Sequence, residues 1–201
     1  MTGVDLRRYD RMELDLTGEM IALVTVDQFD RPTPCPPWTV TDLLRHLVSQ
    51  NLRFAAAARG DDPDAACPWD GGDLGDHPLA AYQRSADEVT EAFAAPDLDQ
   101  RRIVLPELSG PVPALVGVGF HLTDYTVHAW DVARSLGVPL DAPAELTAVA
   151  RDMAAKIPDS PEVRGPGGAF ARRVTTLDDA APYNQLLGLV GRDPGWTPTG
   201  D

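Results

Sequence analysis

The 201-residue chain has two cysteines, a single lysine and few aromatic side chains, 6% of the total. Cys35 and Cys67 stand apart, neither lies in a C-x-x-C, and two can make at most one bridge, so no disulfide framework is expected. No apolar run approaches the ~18 residues of a membrane-spanning helix. The start, MTGVDLRRYD, lacks the apolar centre of a signal peptide, and the expectation is a soluble, cytoplasmic protein. Cations are scarce as well: 17 Lys and Arg, with Lys156 the only lysine, face 31 Asp and Glu, for a formal net charge of -14 and a pI near 4.5. A surface of that average sign repels phosphate backbones and anionic lipid, so neither nucleic acid nor membrane is an expected partner. A small-molecule substrate is, and a homodimer remains open.

Helical patterning is abundant, and proline and glycine punctuate it. One domain is expected from the length. Asp5 to about Asp30 has apolar residues closer to the helical period than to alternation, with Gly18 as the weak point, and predicts one helix, with a start near Thr17 as the variant. RPTPCPPW is a rigid connector, because each proline removes a backbone donor and biases its predecessor away from αR. Thr39 and Asp42 form a capping-box variant that opens a helix to about Arg59. Gly60 to His77, dense in Gly, Pro and Asp, reads as a long loop of the kind that covers a site or moves. Its aspartates lack the spacing of a calcium loop. A third helix spans Pro78 to Ala95, stopped by Pro96. Ile103 to Leu105 is a short β-like run, too little for a sheet. Helix resumes near Pro113 and ends at Gly137, a fifth helix covers Pro143 to Ile157, and a last one Asp178 to Gly191, after an irregular link anchored by Phe170 and Val174. The tail RDPGWTPTGD either caps the fold or frays.

The chemistry concentrates in HLTDYTVHAWDVARSLG, His121 to Gly137. In an α-helix His121, Asp124, His128 and Asp131 share an arc of roughly 80°, with Asp124 and His128 one above the other. His46, on the helix TVTDLLRHLVSQN, is the candidate third ligand. Two imidazoles and one carboxylate leave a coordination position open, the pattern of catalytic zinc, and helix bundles build such sites between facing helices. The competing reading is a satisfied core histidine.

The two segments that carry these residues resemble a known family. PTPCPPWTVTDLLRHLVSQN is similar to P-T-P-C-x-x-W-T-V-x-D-L-x-x-H-L, and DYTVHAWDVARSLG to [DE]-x-x-x-H-x-W-D-L-A-x-x-x-G, of the DinB-like, mycothiol-dependent maleylpyruvate isomerase N-terminal-type metal-binding proteins of actinobacteria. DDAAPYNQLLGLVGRDPGW resembles the family's short C-terminal helix. The resemblance implies an all-α, DinB-like four-helix bundle of up-down-down-up type with short C-terminal helices. It also implies a divalent metal, zinc first and nickel or another ion next, on His46, Asp124 and His128, with mycothiol as cosubstrate. Asp131 is then either an acceptor behind a ligand histidine or a structural partner of backbone or Arg134, the latter favoured. Trp130 is expected in the core. Cys35 is read as a small buried side chain before a fourth ligand. His121 stands outside the ligand pattern and is the candidate acid or base. Cys67 and His77 carry no assignable role, and Arg172 and Arg173 either meet an anionic substrate or are solvated. Pro36-Pro37 before Trp38, the Gly60–His77 loop and little room for the isomerase's larger C-terminal domain depart from the pattern, so maleylpyruvate isomerisation itself is not expected. The leading reading is a mycothiol-dependent S-transferase or isomerase. A non-catalytic metal- or ligand-binding bundle, a metal-hydroxide hydrolase and a metal-free acid-base enzyme are the alternatives.

Overall fold

Asp5 starts the first helix: its carboxylate accepts the Arg7 backbone N–H at 3.2 Å, and α1 (Leu6–Ile21) follows. This computed structural model describes residues 4–105, 110–161, 163–165, 170–177 and 179–198. The helix expected between Asp5 and Asp30 is thus shorter, and no start falls at Thr17. The chain turns extended at Thr25, whose capping box with Gln28 opens a separate 3-10 turn over Val26–Gln28. Gly18 is accommodated in α1 because its bare side packs on the Tyr82 ring, where a Cβ would lie 3.4 Å from Cε1.

The Thr39–Asp42 box forms as the residue types dictate. Thr39 Oγ1 accepts the Asp42 N–H, Asp42 Oδ2 accepts the Thr39 N–H at 2.9 Å, and α2 (Val40–Arg59) runs to Gly60 in the left-handed region at φ 91°. The expected long loop contains a four-residue helix, α3 (Pro63–Ala66), capped by Asp62. Beyond it come α4 (Pro78–Phe93), the antiparallel pair β1 (Arg102–Ile103) and β2 (Val112–Pro113), and α5 (Ala114–Leu136), which ends on left-handed Gly137 at φ 72°. The β-like run is therefore a two-residue strand. It sits against α5 so closely that a Cβ on Gly117 would meet Ile103 Cδ1 at 2.2 Å. Then follow α6 (Ala144–Ala154) and α7 (Pro182–Leu189). Asp178, the expected start of the last helix, lies outside the described residues, as do parts of the link before it.

The fold is all-α, a DinB-like bundle with additional C-terminal helices. α1 packs against α5 and α4, and α2 against α4 and α5, which closes a four-helix bundle around Leu43, Leu44, Leu47, Phe93, Val118 and Tyr125. α6 and α7 lie outside this bundle, on α5. They bury Val127 and Trp130 with Ile157, Leu186 and Val190. Burial of apolar area drives this second cluster as it does the first. Its consequence for function is that it carries Arg192, just past α7, to Asp131 in the C-terminal part of α5.

Candidate metal centre

α2 supplies His46 and α5 supplies Asp124 and His128, four residues apart on one helical face. His46 Nε2 lies 3.7 Å from Asp124 Oδ2, and His128 Nε2 lies 3.4 Å from Asp124 Oδ1. One donor atom from each of the three falls within 4.8 Å of the others. Both imidazoles are buried, while Asp124 opens onto a cavity of about 880 Å³. Trp38, Phe54, Trp69, Phe120, Phe170 and Trp196 wall it, with Cys35, Gln50, Arg172 and Arg192 among its polar lining.

The two candidate histidines differ behind the ring. His128 Nδ1–H donates to Asp131 Oδ2 at 2.8 Å, which leaves Nε2 for the centre. Asp131 is fully buried and held in turn: Arg192 Nε donates to Oδ1 at 3.1 Å, Arg192 Nη2 to Oδ2 at 3.1 Å, and the Cys35 thiol to Oδ2 at 3.0 Å. Burial raises the Asp131 carboxyl, but Arg192 and His128 outweigh it and hold it at about 2. Burial likewise disfavours a charged His128 ring, and the Asp124 and Asp131 carboxylates overcome that, so its pKa stands well above the ordinary imidazole value. Asp124 is pushed well below the carboxylate range, burial being outweighed by His128 and His46. Burial and Asp131 raise the Cys35 thiol, which keeps it a hydrogen-bond donor. His46, by contrast, is buried with no hydrogen-bond partner at Nδ1 among the described residues.

This set suits a divalent cation. Two donors ~2.1 Å from one ion at tetrahedral angles stand roughly 3.4 Å apart, close to the spacings from both imidazoles to Asp124. Two imidazoles and a carboxylate suit zinc and ions of similar softness, and the cavity side leaves a position for a further ligand. Cys35 Sγ forms a second trio within 4.8 Å with His128 and Asp131. Its bonds to Asp131 and from Arg192 Nη2, at 2.7 Å, occupy it away from the first trio.

His121 is placed elsewhere. It is fully buried, with Nδ1 2.7 Å from Asp10 Oδ1 and Nε2 3.1 Å from Asn51 Oδ1, and its ring stacks on Tyr125 at 4.1 Å and meets Phe54 at 4.9 Å. It is not among the cavity-lining residues described. Asp131 bonds His128, Arg192 and Cys35 rather than Arg134, whose guanidinium donates to the Trp196 carbonyl and lies over the Trp130 ring. Trp130 packs in the outer cluster. Arg172 lines the cavity while Arg173 faces Asp159 and the Ile157 carbonyl.

Three contributors escape a reading of the sequence. Arg192 is one, though it lies inside the tail segment GRDPGW. Trp69 is the second: its ring meets His46 edge-on at 5.4 Å, from inside the loop. The third is Glu13, fully buried on α1, with Thr17 Oγ1 donating to Oε1 and, among the described residues, no partner at Oε2. Burial drives its pKa well above the usual value, and Asp10 and Asp124 add to the effect.

The profile of the mycothiol maleylpyruvate isomerase N-terminal domain matches residues 12–133, which contain all three candidate ligands. Two proteins of Mycobacterium tuberculosis, both described as uncharacterized, one from strain CDC 1551 / Oshkosh and one from strain ATCC 25618 / H37Rv, are each 36% identical over 178 residues, covering 89% of this chain and 92% of the relative. No solved structure gives a significant match. No described helix is long and apolar enough to cross a membrane. On this match over residues 12–133, the chain belongs to the mycothiol maleylpyruvate isomerase N-terminal domain family.

Proposed function

We propose that the protein is a metal-dependent enzyme of small-molecule chemistry that uses a low-molecular-weight thiol, mycothiol, in S-transfer or isomerisation, with zinc as the first candidate ion. The observation that carries this reading is the convergence of His46, Asp124 and His128 at one end of an aromatic-walled cavity of about 880 Å³, large enough for a cosubstrate and an acceptor together. An ion held by these three residues supplies Lewis acidity that favours the anionic, nucleophilic form of a thiol at neutral pH.

The chain's own residues do the rest. Asp131 accepts the His128 Nδ1–H and so fixes which ring nitrogen faces the cavity. Arg192 neutralises that buried carboxylate, so Asp131 holds the ring without needing a proton of its own. Trp38 packs on the His46 ring, with centroids 4.7 Å apart, and excludes water from that side. Arg172 presents a cation at the cavity lining, where an anionic group of the acceptor would be oriented. His121, with both ring nitrogens engaged away from the cavity, holds α1 and α2 to α5; in this reading it supports the fold.

The test is a thermal-shift and turnover experiment with zinc-loaded protein. Mycothiol at millimolar concentration is expected to raise the Tm of wild type and not of His46→Ala, and to be consumed with an electrophilic acceptor such as a haloaromatic. Indifference to mycothiol combined with ester or amide hydrolysis would replace this reading with a hydrolase.

A further inference from the structure

We infer that Asp70 is the positioning residue for His46, the counterpart of Asp131 for His128, and that the 68–72 loop closes on the site as the ion binds. The inference rests on the metal reading above. Both histidines aim Nε2 at Asp124, so in both it is Nδ1 that faces away. When Nε2 holds an ion, Nδ1 must carry the hydrogen, and a buried N–H needs an acceptor. His128 has one at 2.8 Å. His46 Nδ1 has none among the described residues, although the residue is only 3% exposed. Its flanks are the Trp38 and Trp69 rings, at 4.7 and 5.4 Å. Among the described residues the charged group facing it is Asp70, with Oδ1 3.8 Å from Nδ1 and a side chain 59% exposed, so the carboxylate has room to swing the remaining ångström.

The loop backbone is already in register for that step. Residues 46, 49, 50 and 53 share a face of α2. Ser49 Oγ donates to the Pro68 carbonyl at 2.5 Å, Gln50 Nε2 to the Trp69 carbonyl at 3.4 Å, and Arg53 Nη1 to the Cys67 carbonyl at 2.9 Å. Gly72 completes the docking: a Cβ there would stand 2.1 Å from the Arg45 carbonyl oxygen, so only glycine lets the loop lie this close to the turn that bears His46. One histidine is thus pre-set and the other waits for its acceptor.

The experiment uses the full chain and Zn2+ alone, with affinity measured by competition against a chromogenic chelator. Asp70→Ala is expected to bind zinc about 10–100-fold more weakly than wild type. Asp70→Asn, which keeps an acceptor oxygen, falls between, and Asp73→Asn in the same loop matches wild type. Two readouts separate positioning from mere structure. The Tm of metal-free Asp70→Ala should equal that of wild type, and amide exchange over residues 68–72 should slow on adding zinc to wild type but not to Asp70→Ala. Zinc affinity of Asp70→Ala within twofold of wild type, or an equal loss of metal-free Tm, would overturn the inference while leaving the metal site intact. A wild type that binds no zinc would instead remove the metal reading and this inference with it.

Discussion

α5 carries two histidines with nearly the same first contact and different second ones. His121 Nδ1 faces Asp10 at 2.7 Å and His128 Nδ1 faces Asp131 at 2.8 Å. The difference is at Nε2. In His121 that nitrogen meets Asn51 Oδ1, whose own amide donates to Ser85, and aromatic rings close the space around it. In His128 it faces Asp124 and a cavity, with a second imidazole edge-on at 5.1 Å. A buried histidine backed by a carboxylate is therefore no sign of a metal site by itself; a convergent, unspent Nε2 is. Seven residues along one helix separate a structural cross-brace from a candidate centre.

The sharpest way to break this comparison is to remove each ring in turn. His121→Ala takes the ring partner from the buried Asp10 carboxylate and from Asn51 Oδ1, and is expected to cost about 3–5 kcal/mol of stability, read by denaturant unfolding, while zinc stoichiometry is retained. Loss of zinc in the folded His121→Ala protein would erase the distinction. A smaller effect is expected one layer out. Arg192→Ala leaves Asp131 buried beside His128 without its cation and should weaken zinc binding about 10–100-fold, with Arg192→Lys restoring part of it. Equal affinities for the three proteins would detach the tail from the site.

pH sharpens the contrast further. The raised pKa of His128 in metal-free protein means its charged form contributes stability at low pH, fully present below the ordinary imidazole range and lost as pH rises through the elevated folded value. Asp131 contributes stability above the unfolded carboxylate value, lost as pH falls toward about 2. Glu13 has the opposite sense to Asp131: its folded pKa is raised, so stability declines from the unfolded value near 4.5 upward until the folded group ionises. Glu13→Gln is expected to flatten that decline in Tm-versus-pH curves. An unchanged slope would show that Glu13 is ionised in the fold. The smallest effect belongs to the α2 start, where Thr39→Ala should cost about 1 kcal/mol and leave zinc affinity untouched.

Much of this was legible in the chain because it is local. Thr39 and Asp42, Gly60, and Gly137 mark ends that depend on a few neighbouring residues, and the Asp124-to-His128 spacing is a property of any helix. The start near Asp5 was equally local; the Thr17 variant arose because the glycine after Thr17 suggested a break that Tyr82, a long-range partner, removes. What sequence spacing could not supply were contacts across the fold. Arg192 reaches Asp131 over 61 residues and Asp70 stands beside His46 only because the loop docks on α2. The sorting of His121 from His128 has the same origin: Asp10 and Asn51 come from two other helices, so the helical face alone ranks the two rings alike.

The central claim is that His46, Asp124 and His128 form one metal site and that His121 does not belong to it. Zinc stoichiometry after loading and desalting, measured by mass spectrometry on wild type and the four single alanine variants, tests it most directly. One ion per chain in wild type and His121→Ala, and none in the other three, is the expected result. Equal zinc in His121→Ala and His128→Ala, or none in wild type, would contradict it.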